Sequence, residues 1–255
     1  MGAAMILAIL QVRFSSSRLP GKVLKPIMGK PMLAYQLERL ARCKKIDRLI
    51  VATSDHPEDQ AIANLCNELN ISCFHGPLED VLARFYLATE KYQPTHIVRL
   101  TGDCPLADPA VIDELISLHL EGGYDYSSNC HIPSYPDGLD AEILTYQSLK
   151  TIYQQAQTPA EHEHVTYYIH QHKADFNIGL LSRTPSLAHL RWTVDEPADF
   201  ELVKYIYERL YPLNPNFSTN DILSLIEREP ELATLNTQHQ RNEGLARSLE
   251  KESHQ

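Results

Sequence analysis

The sequence predicts an α/β protein built on a doubly wound, mostly parallel sheet, and three observations carry that prediction. A continuous apolar run at residues 5–12 has strand length and runs into a loop of serines, Pro20 and Gly21, the mark of a strand buried on both faces. Helix-period and strand-period segments then alternate through the first half of the chain. A chain of 255 residues, 43% hydrophobic and 22% charged, is long and apolar enough to bury a substantial core.

The elements follow in order. After the first strand, Pro31 opens a helix with Leu33, Leu37, Leu40 and Ala41 at helical spacing, and residues 49–53 form a second short apolar strand. Residues 58–69 are helical, 72–75 extended, 79–92 helical, 96–100 a strand and 109–120 a helix. The second half is less regular. It offers a strand at 141–144, helices at 147–155 and 161–170, and strands at 176–181 and 190–194, with mixed strand directions expected. Residues 197–210 and 219–227 are helices, the latter capped by Ser218 or Thr219. Beyond Pro230 the composition turns polar, and residues 230–255 are expected to be a polar tail of frayed helix or disorder. The expected division is one domain over residues 1–229. Within it the regularly alternating part covers about 5–125, an irregular subregion 126–190, and a strand with closing helices 190–229.

Bulk properties narrow the function classes. No apolar run approaches the roughly 20 residues of a membrane span, and residues 5–12 lack the basic leader and cleavage site of a signal peptide. A cytoplasmic location without membrane insertion is the expectation. Five scattered cysteines without a C-x-x-C pair suggest reduced thiols rather than disulfides or a zinc knuckle. His162 and His164, two apart, lie on different helix faces and do not suggest zinc. A net charge of −10 disfavours nucleic acid as a partner. Yet residues 13–48 hold ten Lys or Arg against two acids. That suits a small polyanionic ligand, or a solvated basic helix face.

In an open parallel sheet, ligands collect at the carboxyl ends of the strands. The loop leaving the first strand carries Arg13, Ser15, Ser16, Ser17, Arg18, Gly21 and Lys22. Forked guanidinium donors, an ammonium and a glycine that lets backbone amides approach are what a triphosphate needs; the same residues could also form an exposed polar turn. The glycine spacings of P-loop and dinucleotide-binding folds are absent. At the end of the strand begun by His96, Thr101, Gly102 and Asp103 face the same crevice, with Pro105 stopping the strand. Asp195 follows the extended segment 190–194 and precedes Pro197, so it reads as a helix N-cap, a metal ligand, or both. Two carboxylates beside substrate phosphates are the pattern for Mg²⁺.

Together these motifs resemble the sugar cytidylyltransferases, in particular the spore coat polysaccharide biosynthesis branch of the SpsF type. Relatives in the wider superfamily activate 3-deoxy-manno-octulosonate and nonulosonic acids. The carrying residues are Gln11 to Arg13, Ser17 to Lys22, Thr53-Ser54-Asp55, Gly76 to Arg84, Thr101 to Leu106, and Arg191 to Asp195, in the family's order. The resemblance implies a Rossmann-like nucleotide-diphospho-sugar transferase fold, with an acceptor-binding and dimerisation subregion in the second half. It also implies transfer of CMP from CTP to a sugar acid with release of pyrophosphate. By the same resemblance Arg13, Ser17, Arg18 and Lys22 bind the CTP phosphates, and Arg18, Lys22 and Asp103 are catalytic. Asp103 and Asp195 hold Mg²⁺. Thr53, Ser54, Asp55, Arg84, Thr101 and Gly102 lie near the nucleotide, whereas Asp137 and Glu142 lie near the acceptor. Val81, Leu82 and Phe85 are expected to pack in the core. A homodimer is implied.

Three rivals stay open at this level: a nucleotide-sugar glycosyltransferase, a pyrophosphorylase for another base, and a non-catalytic homologue. The missing Asp-x-Asp motif weighs against the first and the serine-rich loop against the second. Both aspartates beside a full cationic loop weigh against the third.

Overall fold

The computed structural model describes residues 4–16, 18–239, 241 and 243–253. Its strands are β1 (Ile6–Gln11), β2 (Pro26–Ile27), β3 (Lys30–Pro31), β4 (Arg48–Ser54), β5 (Ser72–Gly76), β6 (His96–Thr101), β7 (Tyr126–Ser128), β8 (Glu142–Thr145) and β9 (Ile178–Leu180). Its helices are α1 (Met32–Leu40), α2 (Gln60–Glu68), α3 (Val81–Glu90), α4 (Pro109–Gly122), α5 (Tyr146–Gln155), α6 (Pro159–Glu163), α7 (Tyr167–Gln171), α8 (Pro197–Leu210), α9 (Thr219–Arg228) and α10 (Glu243–Ser253).

Seven strands form one sheet in the order β5-β4-β1-β6-β8-β7-β9. The first four are mutually parallel, and β8 runs antiparallel to both β6 and β7. The doubly wound, mostly parallel sheet and its mixed second half are as expected. Strand β1 lies at the centre, and its alternation builds both cores, because successive side chains leave opposite faces. Ile6, Ala8 and Leu10 pack on one side with residues of α1, α4, α8 and α9. Leu7 and Ile9 pack on the other with Val81, Leu82 and Phe85 of α3 and Leu149 and Ile152 of α5. The carboxyl ends of β1, β4 and β6 therefore open along one edge, where strand order brings distant loops together.

Four expectations need correction. Residues 190–194 form no strand; Arg191 makes one isolated bridge to Asp137. The alternating apolar pattern there is genuine, with Leu190, Trp192 and Val194 buried. Its backbone, however, pairs with two loops: Asp137 N donates to Leu190 O, Trp192 N to Asp137 O, and Val194 N to Asp103 O. The helix expected over 161–170 is broken into α6 and α7 around His164 to Thr166, and the strand expected over 176–181 shrinks to β9. The polar tail contains α10, which packs on α6 through a bond from Ala160 N to the Glu252 carboxylate. Strand β7 and the small β2–β3 hairpin carried no sequence signal strong enough to be expected.

Candidate functional site

The loop after β1 is held at both ends. Phe14 N donates to Asp59 Oδ1 at 2.6 Å, and Asp59 Oδ2 also accepts from Ser54 N at 2.9 Å and from the Ser54 hydroxyl. Asp59 is buried, which would raise its pKa, yet these donors hold it below the ordinary carboxylate range. At the other end Gly21 takes φ +67, a left-handed conformation that glycine adopts without strain. Gly21 N bonds back to Phe14 O at 3.0 Å. A short 3₁₀ turn, Lys22–Leu24, then starts with Lys22 nearly buried. Its ammonium donates to Val194 O at 2.7 Å and Asp195 Oδ1 at 2.8 Å.

The segment at 190–199 reaches this loop because one buried guanidinium assembles it. Arg191 donates through Nε and Nη2 to the two oxygens of Asp199, each at 2.9 Å, and through Nη1 to Asp137 Oδ2 at 3.0 Å. Such a forked pair fixes orientation as well as distance. Asp199 Oδ2 in turn accepts from Asp195 N and Glu196 N, both at 2.9 Å. The helix cap of α8 is Glu196, paired with Asp199 in a capping box. The N-cap reading of Asp195 is thus corrected: its carboxylate lines the cleft, paired with Lys22 and Arg18. Gly138 lets the loop at 137–139 press on this segment. It has φ +103, and a Cβ there would stand 2.4 Å from Thr193 N.

These elements enclose a cleft of about 1070 Å³. Arg13, Arg18, Lys22, Thr101, Gly102, Asp103, Asp137, Glu142 and Asp195 all line it. Gly102 permits the close approach of β6 to β1, since a Cβ would sit 3.1 Å from Val12 Cγ2. Asp103 and Asp195 are joined through backbone, Val194 N donating to Asp103 O at 2.7 Å. Ser17 lies outside the described residues. The other expected contacts are not on the cleft wall. Thr53 and Ser54 are fully buried at the end of β4, Ser54 serving Asp59, while Asp55 is exposed. Arg84 is wholly buried behind the cleft, with Nη1 donating to Pro77 O at 2.6 Å.

The cleft's charges fall into distinct sets. Burial pushes the Asp195 pKa up, but Lys22, then Arg18 at 3.0 Å and Arg191, outweigh it and hold the carboxyl below its usual range. Asp140, which the sequence reading missed, goes the other way: burial and the neighbouring carboxylates of Asp137 and Asp103 push it up to about 7 despite Arg241. Asp137 is raised as well, by burial first. Glu142 forms a third set. Burial would raise it, but the Arg99 guanidinium and the hydroxyls of Tyr126 and Thr166 hold it low. Arg99 was also missed, although a lone charge inside the apolar strand β6 was a signal for it. Beyond Glu142, His131 and His170 stack with ring centroids 4.2 Å apart, and burial lowers the His170 pKa to about 4, so the His170 ring is neutral near pH 7.

Two carboxylates on one cleft offer hard oxygen donors, and an oxygen-seeking divalent ion suits Asp103 and Asp195 better than a soft metal. Nearby Cys104 is buried, and burial raises its thiol pKa well above the ordinary value, so it is not a thiolate ligand. Among the described residues, one group of three possible metal ligands converges elsewhere: Glu196, His239 and Glu243, within 4.8 Å of one another. Arg18 already neutralises both glutamates, with Nη1 3.3 Å from each.

A parallel sheet whose strand ends gather arginines, a lysine and carboxylates around one cleft defines a nucleotidyltransferase. The comparisons narrow it. A family model described as Cytidylyltransferase matches residues 7–239, and the chain belongs to that family. It is 34% identical over 239 residues to the spore coat polysaccharide biosynthesis protein SpsF of Bacillus subtilis, covering 90% of this chain and 97% of that one. It is 38% identical over 113 residues to a 3-deoxy-manno-octulosonate cytidylyltransferase of Geobacter sulfurreducens, 44% of each chain. The structure of a cytidylyltransferase from Leptospira borgpetersenii superposes with a TM-score of 0.86 at 29% identity, over 90% of this chain and 97% of that one. A CMP:2-keto-3-deoxy-manno-octonic acid synthetase complexed with CTP shares the fold, with a TM-score of 0.63 at 19% identity over 81% of this chain and 99% of that one.

Proposed function

We propose that the chain transfers CMP from CTP to a sugar acid, releasing pyrophosphate, in the biosynthesis of a polysaccharide or other glycan. The single observation that carries this reading is the meeting of Arg13, Arg18 and Lys22 with Asp103 and Asp195 around one cleft. The acceptor hydroxyl attacks the α-phosphorus as pyrophosphate leaves. Such a step needs alignment and charge neutralisation more than a protein nucleophile. Arg13 and Arg18 grip the phosphates, and Lys22, already held at its nitrogen by Val194 O, meets the charge that develops on the α-phosphate. Asp103 and Asp195 would hold Mg²⁺, which supplies Lewis-acid stabilisation of the phosphate oxygens. Thr101 and Gly102 border the phosphates, and Asp137 and Glu142 stand toward the acceptor. Thr53, Ser54, Asp55 and Arg84 fit a supporting place behind the nucleotide rather than contact with it.

A single domain over residues 1–229, a homodimer and a cytoplasmic location belong to the same proposal; among the described residues no helix is long and apolar enough to cross a membrane. The test is pyrophosphate release with CTP, Mg²⁺ and a panel of sugar acids and neutral sugars. Asp103→Ala is expected to lower turnover by about a thousandfold while the fold survives. Unchanged turnover in that variant, or thermal stabilisation by UTP or GTP in preference to CTP, would overturn the reading.

A further inference from the structure

The segment that follows the cleft in sequence returns to it with charges opposite to the site's own. Glu243 sets its Oε2 3.3 Å from Arg18 Nη1, on the guanidinium assigned to phosphate. Arg241 sets Nε 3.5 Å from Asp137 Oδ1 and Nη2 3.5 Å from Asp140 Oδ1, on the acidic wall. An anion thus joins Asp195 and Glu196 around Arg18, and a cation lies against the carboxylates of Asp137 and Asp140. Gly244, Leu245 and Ser248 of α10 line the same cleft.

We propose that Arg241 and α10 form an intramolecular strap that neutralises the cleft charge for charge, in place of a metal-bound triphosphate, and that nucleotide binding displaces it. The inference rests on the triphosphate reading of the cleft.

Two features make displacement feasible. The chain just before the strap is firmly held: Asn236 is buried and donates to Arg191 O at 3.1 Å and Asp199 Oδ1 at 2.7 Å. The strap itself is held largely by polar contacts. Ser248 donates to Glu163 Oε2 at 2.8 Å and lies 3.0 Å from His164 Nε2, and the Glu252 carboxylate meets Ala160 N. Water replaces such contacts readily when a helix lifts, whereas the anchor at Asn236 would stay. Phosphate oxygens offer the Arg18 Nη1 that Glu243 meets at 3.3 Å a forked partner, while Asp195 stays on Nη2. Strap and nucleotide therefore compete, and the nucleotide's apparent affinity is reduced by the fraction of molecules with the strap in place.

The test is direct binding of CTP with Mg²⁺ to the full chain, to an Arg241→Gln, Glu243→Gln double variant, and to a chain ending at His239. The double variant is expected to bind about tenfold tighter than the full chain, and the shortened chain at least as tightly. Amide exchange across α10 of the unaltered protein should quicken when CTP and Mg²⁺ are added. Weaker or unchanged binding in both altered chains overturns the strap, as does slower exchange in α10, which would make the helix part of the nucleotide site. If none of the three chains binds CTP, the triphosphate reading itself fails and the strap with it. If all bind it equally, that reading stands and the strap alone falls. Should the shortened chain fail to fold, the double variant and the exchange measurement still decide.

Discussion

Asp140 and Glu142 lie two residues apart and line one cleft, yet they carry opposite electrostatic histories. Glu142 is surrounded by donors: Arg99, the Tyr126 hydroxyl and Thr166 Oγ1 at 2.7 Å. Asp140 Oδ1 has no hydrogen-bond partner among the described residues, and the Arg241 guanidinium stands 3.5 Å away. Burial opposes the charge of both. At Glu142 the protein supplies full compensation, so the carboxylate is part of the architecture. At Asp140 it does not, and the surplus negative charge is left for a cation to meet. The contrast separates a carboxylate that builds the site from one that waits for a ligand.

Breaking the compensated side should have the largest effect on stability. Arg99→Leu leaves Glu142 charged without its ion, and urea unfolding should show a loss of about 3–5 kcal/mol; a loss under about 1 kcal/mol would erase the distinction. The uncompensated side predicts a smaller effect of opposite sign. The folded Asp140 value of about 7 lies above its ordinary 3.8, so the folded state holds the proton more tightly. The stability this confers is full below about pH 4 and lost as pH rises through 7. Asp140→Asn does not titrate. Measured from pH 4 to pH 8, the variant should gain about 2 kcal/mol on the unaltered protein, solvent screening included. A flat difference across that range would mean that the acidic wall is already neutralised. Glu142→Gln breaks the same pair from the other side, keeping the shape but leaving Arg99 without its counter-charge, so at neutral pH its cost should approach that of Arg99→Leu. Because the folded Glu142 value is depressed below the ordinary 4.5, its contribution is present above that pH and fades as pH falls through the folded value. The destabilisation in the glutamine variant should therefore shrink in acid, and thermal melts at pH 7 and pH 3 would show it.

The same contrast explains what the sequence disclosed. Strand β1, the loop with Arg13, Arg18 and Lys22, and the Thr101 to Asp103 corner are local patterns, each readable within ten residues. Asp140 and Arg99 acquire meaning only from neighbours far along the chain. Arg99 is a charge in an apolar strand, but nothing near it names Glu142 as its partner. Asp59 looked like one more acid in a helix start, although it ties the β1 loop to β4. Residues 190–194 have the period of a strand, and period cannot tell a neighbouring strand from two loops as the source of backbone partners. In the tail, Leu245 and Leu249 stand four apart in Glu-Gly-Leu-Ala-Arg-Ser-Leu-Glu. That helical face was legible; the overall polarity of the segment masked it.

The bond from Val194 N to Asp103 O has a mechanical meaning. It bolts the corner after β6 to the turn before α8, and Thr193 Oγ1 adds a second fastening on the same carbonyl at 3.2 Å. Any hinge that widens the mouth of the protein must carry both corners as one rigid bracket. The backbone corners that carry Asp103 and Asp195 are thus tied to each other before any substrate arrives.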